Sequence, residues 1–73
     1  MDIRKRIGKR IKDLRADLQV TQEALAEKVD MDKTYLSEVE NGKRNISVIN
    51  LEKVIKGLDN NFATFFNEEN FLD

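Results

Sequence analysis

Apolar residues at Ile3, Ile7, Ile11, Leu14 and Leu18 recur at intervals of four and three, which lines one face of a helix from about residue 2 to 18. The opposite face is rich in Lys and Arg. Gln19 and Val20 break the period, and Thr21 follows as an N-cap whose hydroxyl accepts a backbone N–H, with Glu23 in the favourable first turn. A second helix over residues 22–29 then buries Leu25, Ala26 and Val29 and stops near Asp30, a residue that tolerates left-handed geometry. Asp32 caps a third helix over residues 33–41, whose inner face is Tyr35, Leu36 and Val39 and whose end at Asn41 places Gly42 in the αL position. Lys43 to Ile46 is a polar loop. Ser47 caps a fourth helix over residues 48–58 with Val48, Leu51, Val54, Ile55 and Leu58 apolar, its last turn weakened by Gly57. Asn61 caps a short fifth helix over residues 62–67 that carries Phe62, Phe65 and Phe66, and Phe71 with Leu72 extends the apolar content to the end. Period-two alternation is nowhere sustained, so the expected fold is all-α with five helices.

Length changes little in this picture: 73 residues allow one domain, residues 1–73, and one core of marginal size. No proline, linker, repeat or low-complexity stretch divides the chain. No apolar run approaches the roughly 18 residues needed to span a bilayer, and charges between the N-terminal isoleucines exclude a secretory h-region, so a cytoplasmic location with no membrane partner is expected. Cysteine and histidine are both absent, which removes disulfides, zinc fingers, a thiolate nucleophile and the commonest general base together. Gly8, Gly42 and Gly57 lie too far apart to form a phosphate loop. The chain is therefore not expected to be an enzyme, and neither a cofactor nor a small-molecule ligand is implied.

A formal net charge of -1 argues at first against a polyanionic partner. The distribution changes that reading. Residues 1–20 hold seven Lys or Arg against three Asp, whereas residues 59–73 hold four acids and no base. One surface can thus be basic although the total is nearly neutral, a segregation that a merely solvated face would also tolerate.

Two short helices joined by a tight turn are the arrangement with which a helix-turn-helix reads DNA: one rests against phosphate, and the other enters the major groove, where each base pair displays its own donor and acceptor pattern. Ala26 suits it by letting the two helices approach closely, though a plain helical bundle would also place Ala and Leu there. More specific is the wording Thr21-Gln22-Glu23-Ala24-Leu25-Ala26-Glu27-Lys28-Val29, followed by Tyr35-Leu36-Ser37-Glu38-Val39-Glu40-Asn41-Gly42-Lys43-Arg44. This resembles the phage-repressor-like, Cro/C1-type (XRE) helix-turn-helix family over about residues 3–66. Within that family, Asp32-Lys33-Thr34-Tyr35-Leu36-Ser37 with Arg44-Asn45-Ile46-Ser47 looks most like the controller proteins of restriction-modification systems.

The resemblance implies a lambda-repressor-like domain and a transcription regulator that binds double-stranded DNA. Thr21, Gln22 and the amides opening the second helix would hold a phosphate, as helix N-termini do for anions; the alternative is a surface glutamine near a cap. Lys33, Thr34, Ser37 and Glu38 occupy the outward face of the third helix and are the base-edge candidates. Lysine donates to guanine, threonine touches the thymine methyl or donates, and glutamate accepts from cytosine, unless Glu38 only caps or repels phosphate. Asn41, Lys43, Arg44 and Asn45 would grip the sugar-phosphate backbone and position rather than discriminate. Arg15 and Glu40 match a family pair that forms an internal salt bridge. The resemblance also exposes two departures: Asp30 stands where glycine is common, and Asn60 stands where an apolar residue usually precedes the last helix, a change expected to loosen the C-terminal packing.

Phe62, Phe65 and Phe66 offer more apolar surface than so small a core needs, which points to a homodimer; closing the protomer's own core is the other use. Two-fold pairing would set two recognition helices about one DNA turn apart and call for a pseudo-palindromic operator. The competing function is a protein-interaction module, an antitoxin or anti-regulator, that keeps the helix-turn-helix shape. Salt dependence separates them, because phosphate neutralisation makes affinity fall steeply with salt and apolar contact does not.

Overall fold

Every α-helix of this chain begins at a residue whose side-chain oxygen accepts a backbone N–H that would otherwise lack a partner. Asp2 accepts from the amide of Arg4 at 2.8 Å, Thr21 from Ala24 at 3.0 Å, Asp32 from Tyr35 at 3.0 Å, Ser47 from Asn50 at 3.1 Å and Asn61 from Thr64 at 2.9 Å. In the computed structural model, which describes residues 2–72, these caps open α1 (Ile3–Leu18), α2 (Gln22–Lys28), α3 (Lys33–Glu40), α4 (Val48–Gly57) and α5 (Phe62–Phe66). A single 3₁₀ turn, Glu69–Phe71, follows, and no strand occurs among the described residues. Met1 and Asp73, the ends of the expected domain, lie outside them.

The first four helices also end alike. Gln19, Asp30, Gly42 and Asp59 each take positive φ, between 54° and 73°. Paired amide-to-carbonyl bonds then close each end, as where Gly42 N donates to Val39 O at 3.0 Å and Lys43 N to Glu38 O at 2.9 Å. Asp30 thus adopts the left-handed geometry expected of it, at φ 54°. These closures set the sharp turns between short helices, so the chain folds back onto one core.

That core is built from Ile11, Leu14, Leu25, Ala26, Val29, Leu36, Val39, Leu51, Val54, Ile55, Leu58 and Phe65. Several expected inner positions sit elsewhere. Val48, at the first turn of α4, is 74% exposed, and Ile3 and Leu18 overhang the two ends of α1 half-exposed. Period alone cannot register this, since a helix end projects past the layer it packs on.

The larger correction concerns Phe65. Expected at a dimer surface, it is wholly buried within the protomer, packed edge-on to Phe66 at 4.9 Å between ring centroids and beside Phe71 at 6.0 Å. It has no surface left to give to a second copy. Asn60, the other departure, turns its side-chain oxygen to accept from the Asn61 amide at 2.9 Å, just where α5 is capped. From the basic face of α1, Arg10 donates to the carbonyls of Phe65 at 2.8 Å and Thr64 at 3.0 Å, placing a cation at the C-terminal end of α5. Asn70 donates to Arg6 O at 2.8 Å, fastening the 3₁₀ turn to α1 as well.

Close approach of α1 to the end of α3 depends on Gly8. A β-carbon added there would fall onto the backbone carbonyls of Glu40 and Val39, atoms that cannot swing aside as a side chain could. Gly8→Ala is expected to cost about 1–3 kcal/mol through overpacking, read as a lower urea midpoint at unchanged slope. A midpoint equal to the parent's would show that α1 and α3 can separate freely.

Candidate functional site

The turn between α2 and α3 is tied by Met31 N donating to Ala26 O at 2.8 Å, while Leu25, Ala26, Leu36 and Val39 pack inward. With its inner side fixed this way, α3 can present only its other side. Lys33 and Thr34 are exposed at its N-terminal end, and Ser37 and Glu38 are partly exposed one turn further on. The four base-edge candidates therefore share a surface, and none is packed into the core.

The orientation of α3 is held by a buried ion pair. The Arg15 guanidinium donates twice to Glu40, Nε to Oε2 and Nη2 to Oε1, both at 2.8 Å, and Nη1 donates to Val20 O at 3.0 Å. Glu40's side chain is fully buried and Arg15's is 19% exposed. A two-pronged bond of this kind fixes angle as well as distance, so it locks the C-terminal end of α3 to α1. The hydrogen bond to Glu40, helped by the carboxylate's charge, holds the Arg15 pKa above its ordinary value although burial acts the other way.

Gln22 joins this network, its Nε2 donating to Glu40 Oε1 at 3.2 Å. An amide nitrogen carries two N–H groups, so one remains for a further acceptor. Thr21 spends its hydroxyl oxygen on capping α2, and the O–H proton stays available as a donor.

Two cations on the candidate surface, Lys33 and Arg44, are themselves held. Lys33 Nζ lies 2.8 Å from Glu23 Oε1, and this hydrogen bond pulls the Glu23 carboxyl below its usual pKa range. Both side chains are more than half exposed, so water competes with the pair and another anion can take Lys33 over. Arg44 Nη1 is 3.4 Å from Glu38 Oε1, and its guanidinium lies over the Tyr35 ring at 4.9 Å from the centroid. Asn50 Nδ2 in turn donates to the Tyr35 hydroxyl at 3.3 Å.

Sequence reasoning did not find this stack. Tyr35 was expected to face inward, yet it is only half-buried and serves as a platform between α4 and the loop after α3. Its signal was present in an aromatic residue bearing one polar atom, a type that tends to keep its body packed and its tip bonded. Asn41, Lys43 and Asn45 are exposed, and Asn41 Oδ1 accepts from Lys12 Nζ at 3.1 Å. Phe62 and Phe66, the remaining dimer candidates, stack at 6.3 Å with Phe62 partly exposed.

Comparison with known proteins follows the same lines. The chain is 43% identical over 68 residues to the control protein C.MunI of a Mycoplasma species, covering 92% of each protein. It is 38% identical over 58 residues to the control protein C.BamHI of Bacillus amyloliquefaciens, covering 78% of this chain and 72% of that one. In structure it matches the restriction-modification controller protein C.Esp1396I, solved as a tetramer in complex with its natural 35-base-pair operator. The TM-score is 0.91 at 32% identity, covering 100% of this chain and 99% of the other. The helix-turn-helix family model matches residues 11–65, and the chain belongs to that helix-turn-helix family.

Proposed function

We propose that this chain is a sequence-specific, DNA-binding transcriptional regulator that holds a pseudo-palindromic operator as a homodimer with α3 in the major groove. The observation that carries the reading is the division of α3 into a buried face, Leu36 and Val39, and an open one, Lys33 and Thr34, held at a fixed angle by Arg15 and Glu40. Its relatives C.MunI and C.BamHI are control proteins, and C.Esp1396I is an operator-binding one.

On this reading Lys33, Thr34, Ser37 and Glu38 meet base edges, while Thr21, Gln22, Asn41, Lys43, Arg44 and Asn45 meet the sugar-phosphate backbone. Binding alone does the work, at the DNA in the cytoplasm, and no catalytic step is assigned to the chain. Phe62 and Phe66 supply the contact between two copies.

Selection of preferred duplexes from a random pool tests the reading directly. Lys33→Ala or Thr34→Ala is expected to cost about 1–3 kcal/mol on the selected site and to blur preference at one position, whereas Arg44→Ala weakens all sequences alike. Failure to enrich any sequence, or equal losses from all three substitutions on selected and scrambled duplexes, would defeat this division of roles. A salt-insensitive parent would instead favour a protein partner.

A further inference from the structure

We infer that the DNA-binding surface continues onto α1, where Lys5 and Lys12 form with Lys43 a clamp for backbone phosphates beside the C-terminal end of α3. The inference rests on the DNA reading above and extends it to residues that neither the helix-turn-helix segment nor the loop after it contains. Three observations carry it.

The first is geometry. Positions 5, 9 and 12 share one face of α1 and span about 10 Å along its axis. Together with Asn41 they line a surface groove whose remaining wall, Glu40, turns its carboxylate away into Arg15. Lys12 reaches across to Asn41 at 3.1 Å, and Lys5 packs its α-carbon and side-chain stem against Gly42. The groove is therefore continuous with the turn that follows the recognition helix.

The second is charge. Among the described residues, Arg4, Lys9, Arg10, Arg15, Lys28, Lys33, Arg44 and Lys56 each lie within ion-pair distance of a carboxylate. Lys5, Lys12 and Lys43 do not, and these three gather around the single turn Asn41–Gly42. Lys53, on α4, is likewise unpaired and stands apart in sequence from this cluster.

The third is cost. Like charges closer than the Debye length, about 10 Å at 0.1 M salt, repel one another. A protein that pairs most of its other cations yet leaves three together has a surface relieved by an anion from outside. A phosphate run flanking the groove occupied by α3 supplies evenly spaced negative charge along such a strip. The left-handed turn at Gly42, φ 73°, has no β-carbon and so lets the loop approach the backbone and stem of Lys5 closely.

The test uses the full chain and two duplexes of equal length, one carrying the selected site and one scrambled. Lys5→Gln with Lys12→Gln is expected to reduce the slope of log affinity against log salt by about 1.8, two phosphate contacts at about 0.9 each, and to weaken both duplexes by about 60-fold at 0.1 M salt. Lys5→Arg with Lys12→Arg keeps the charges and is expected to keep the slope, which separates lost contacts from lost folding. Lys53→Gln is expected to bind as the parent does. A double Gln variant with the parent's slope on both duplexes would overturn the clamp and assign the lysines to another anionic partner. A parent that bound neither duplex would overturn the DNA reading itself, before any variant is made.

Discussion

Arg15→Ala is expected to remove about 3–5 kcal/mol of folding stability, because it leaves the Glu40 carboxylate buried without its counter-ion. For a domain of this size each kcal/mol corresponds to about 4–8 °C, so the melting temperature should fall by more than about 12 °C. The loss has two parts, the stranded carboxylate and the forfeited bond from the guanidinium to Val20 O. Arg15→Lys separates them: it keeps a charge near Glu40 but cannot reproduce the two-pronged bond or reach Val20 at the same time, so an intermediate loss is expected. Arg15→Ala combined with Glu40→Ala removes the stranded charge and should recover part of the stability, the non-additive remainder measuring their coupling. Calorimetry on the parent, these three variants and the Glu40→Ala single variant decides it. Strictly additive losses, or a melting temperature unchanged in Arg15→Ala, would mean that the pair does not hold α3. The functional consequence follows from position: α3 is joined to α1 through this pair at one end, so variants that still fold should lose sequence preference along with affinity.

Much of this arrangement could be read from residue types alone, and the reasons are local. Thr21, Asp32, Ser47 and Asn61 were recognisable as N-caps because a short polar side chain directly before an apolar period has a single favourable use. The C-terminal ends were less legible. Gly42 and Asp30 advertise a left-handed residue; Gln19 and Asp59 take the same conformation, with φ of 56° and 57°, without having been expected to. There the closing bonds and the packing of the next helix outweigh the intrinsic preference. Side chains that act through tertiary contacts were hidden for a further reason. Nothing in the sequence says that Arg10 will cap α5, 55 residues away, or that Arg44 will lie on Tyr35. Lys33 illustrates the middle case: its place on the outward face of α3 followed from the period, but its bond to Glu23 on α2 depends on the turn geometry.

Phe65 is where the apparent surplus of apolar surface misled, and Phe65→Ala should show it by costing about 3–5 kcal/mol, the range for truncating a buried phenylalanine. Interface and core make different predictions about concentration. If Phe65 served mainly to join two copies, its loss would matter only where the protein is dimeric and would fade on dilution. Buried as it is among Phe66, Phe71 and the core, its truncation should lower the melting temperature by a similar amount at every concentration, the diluted monomer included. Phe62 is the contrast. Partly exposed and stacked only on Phe66, it can be truncated with little effect on the melting of dilute protein. Phe62→Ala should instead weaken self-association by at least about fivefold in sedimentation, the effect of losing roughly 1 kcal/mol at an aromatic contact. A Phe65→Ala protein that melted normally when dilute would return Phe65 to the interface, and a Phe62→Ala protein that dimerised as tightly as the parent would take Phe62 out of it.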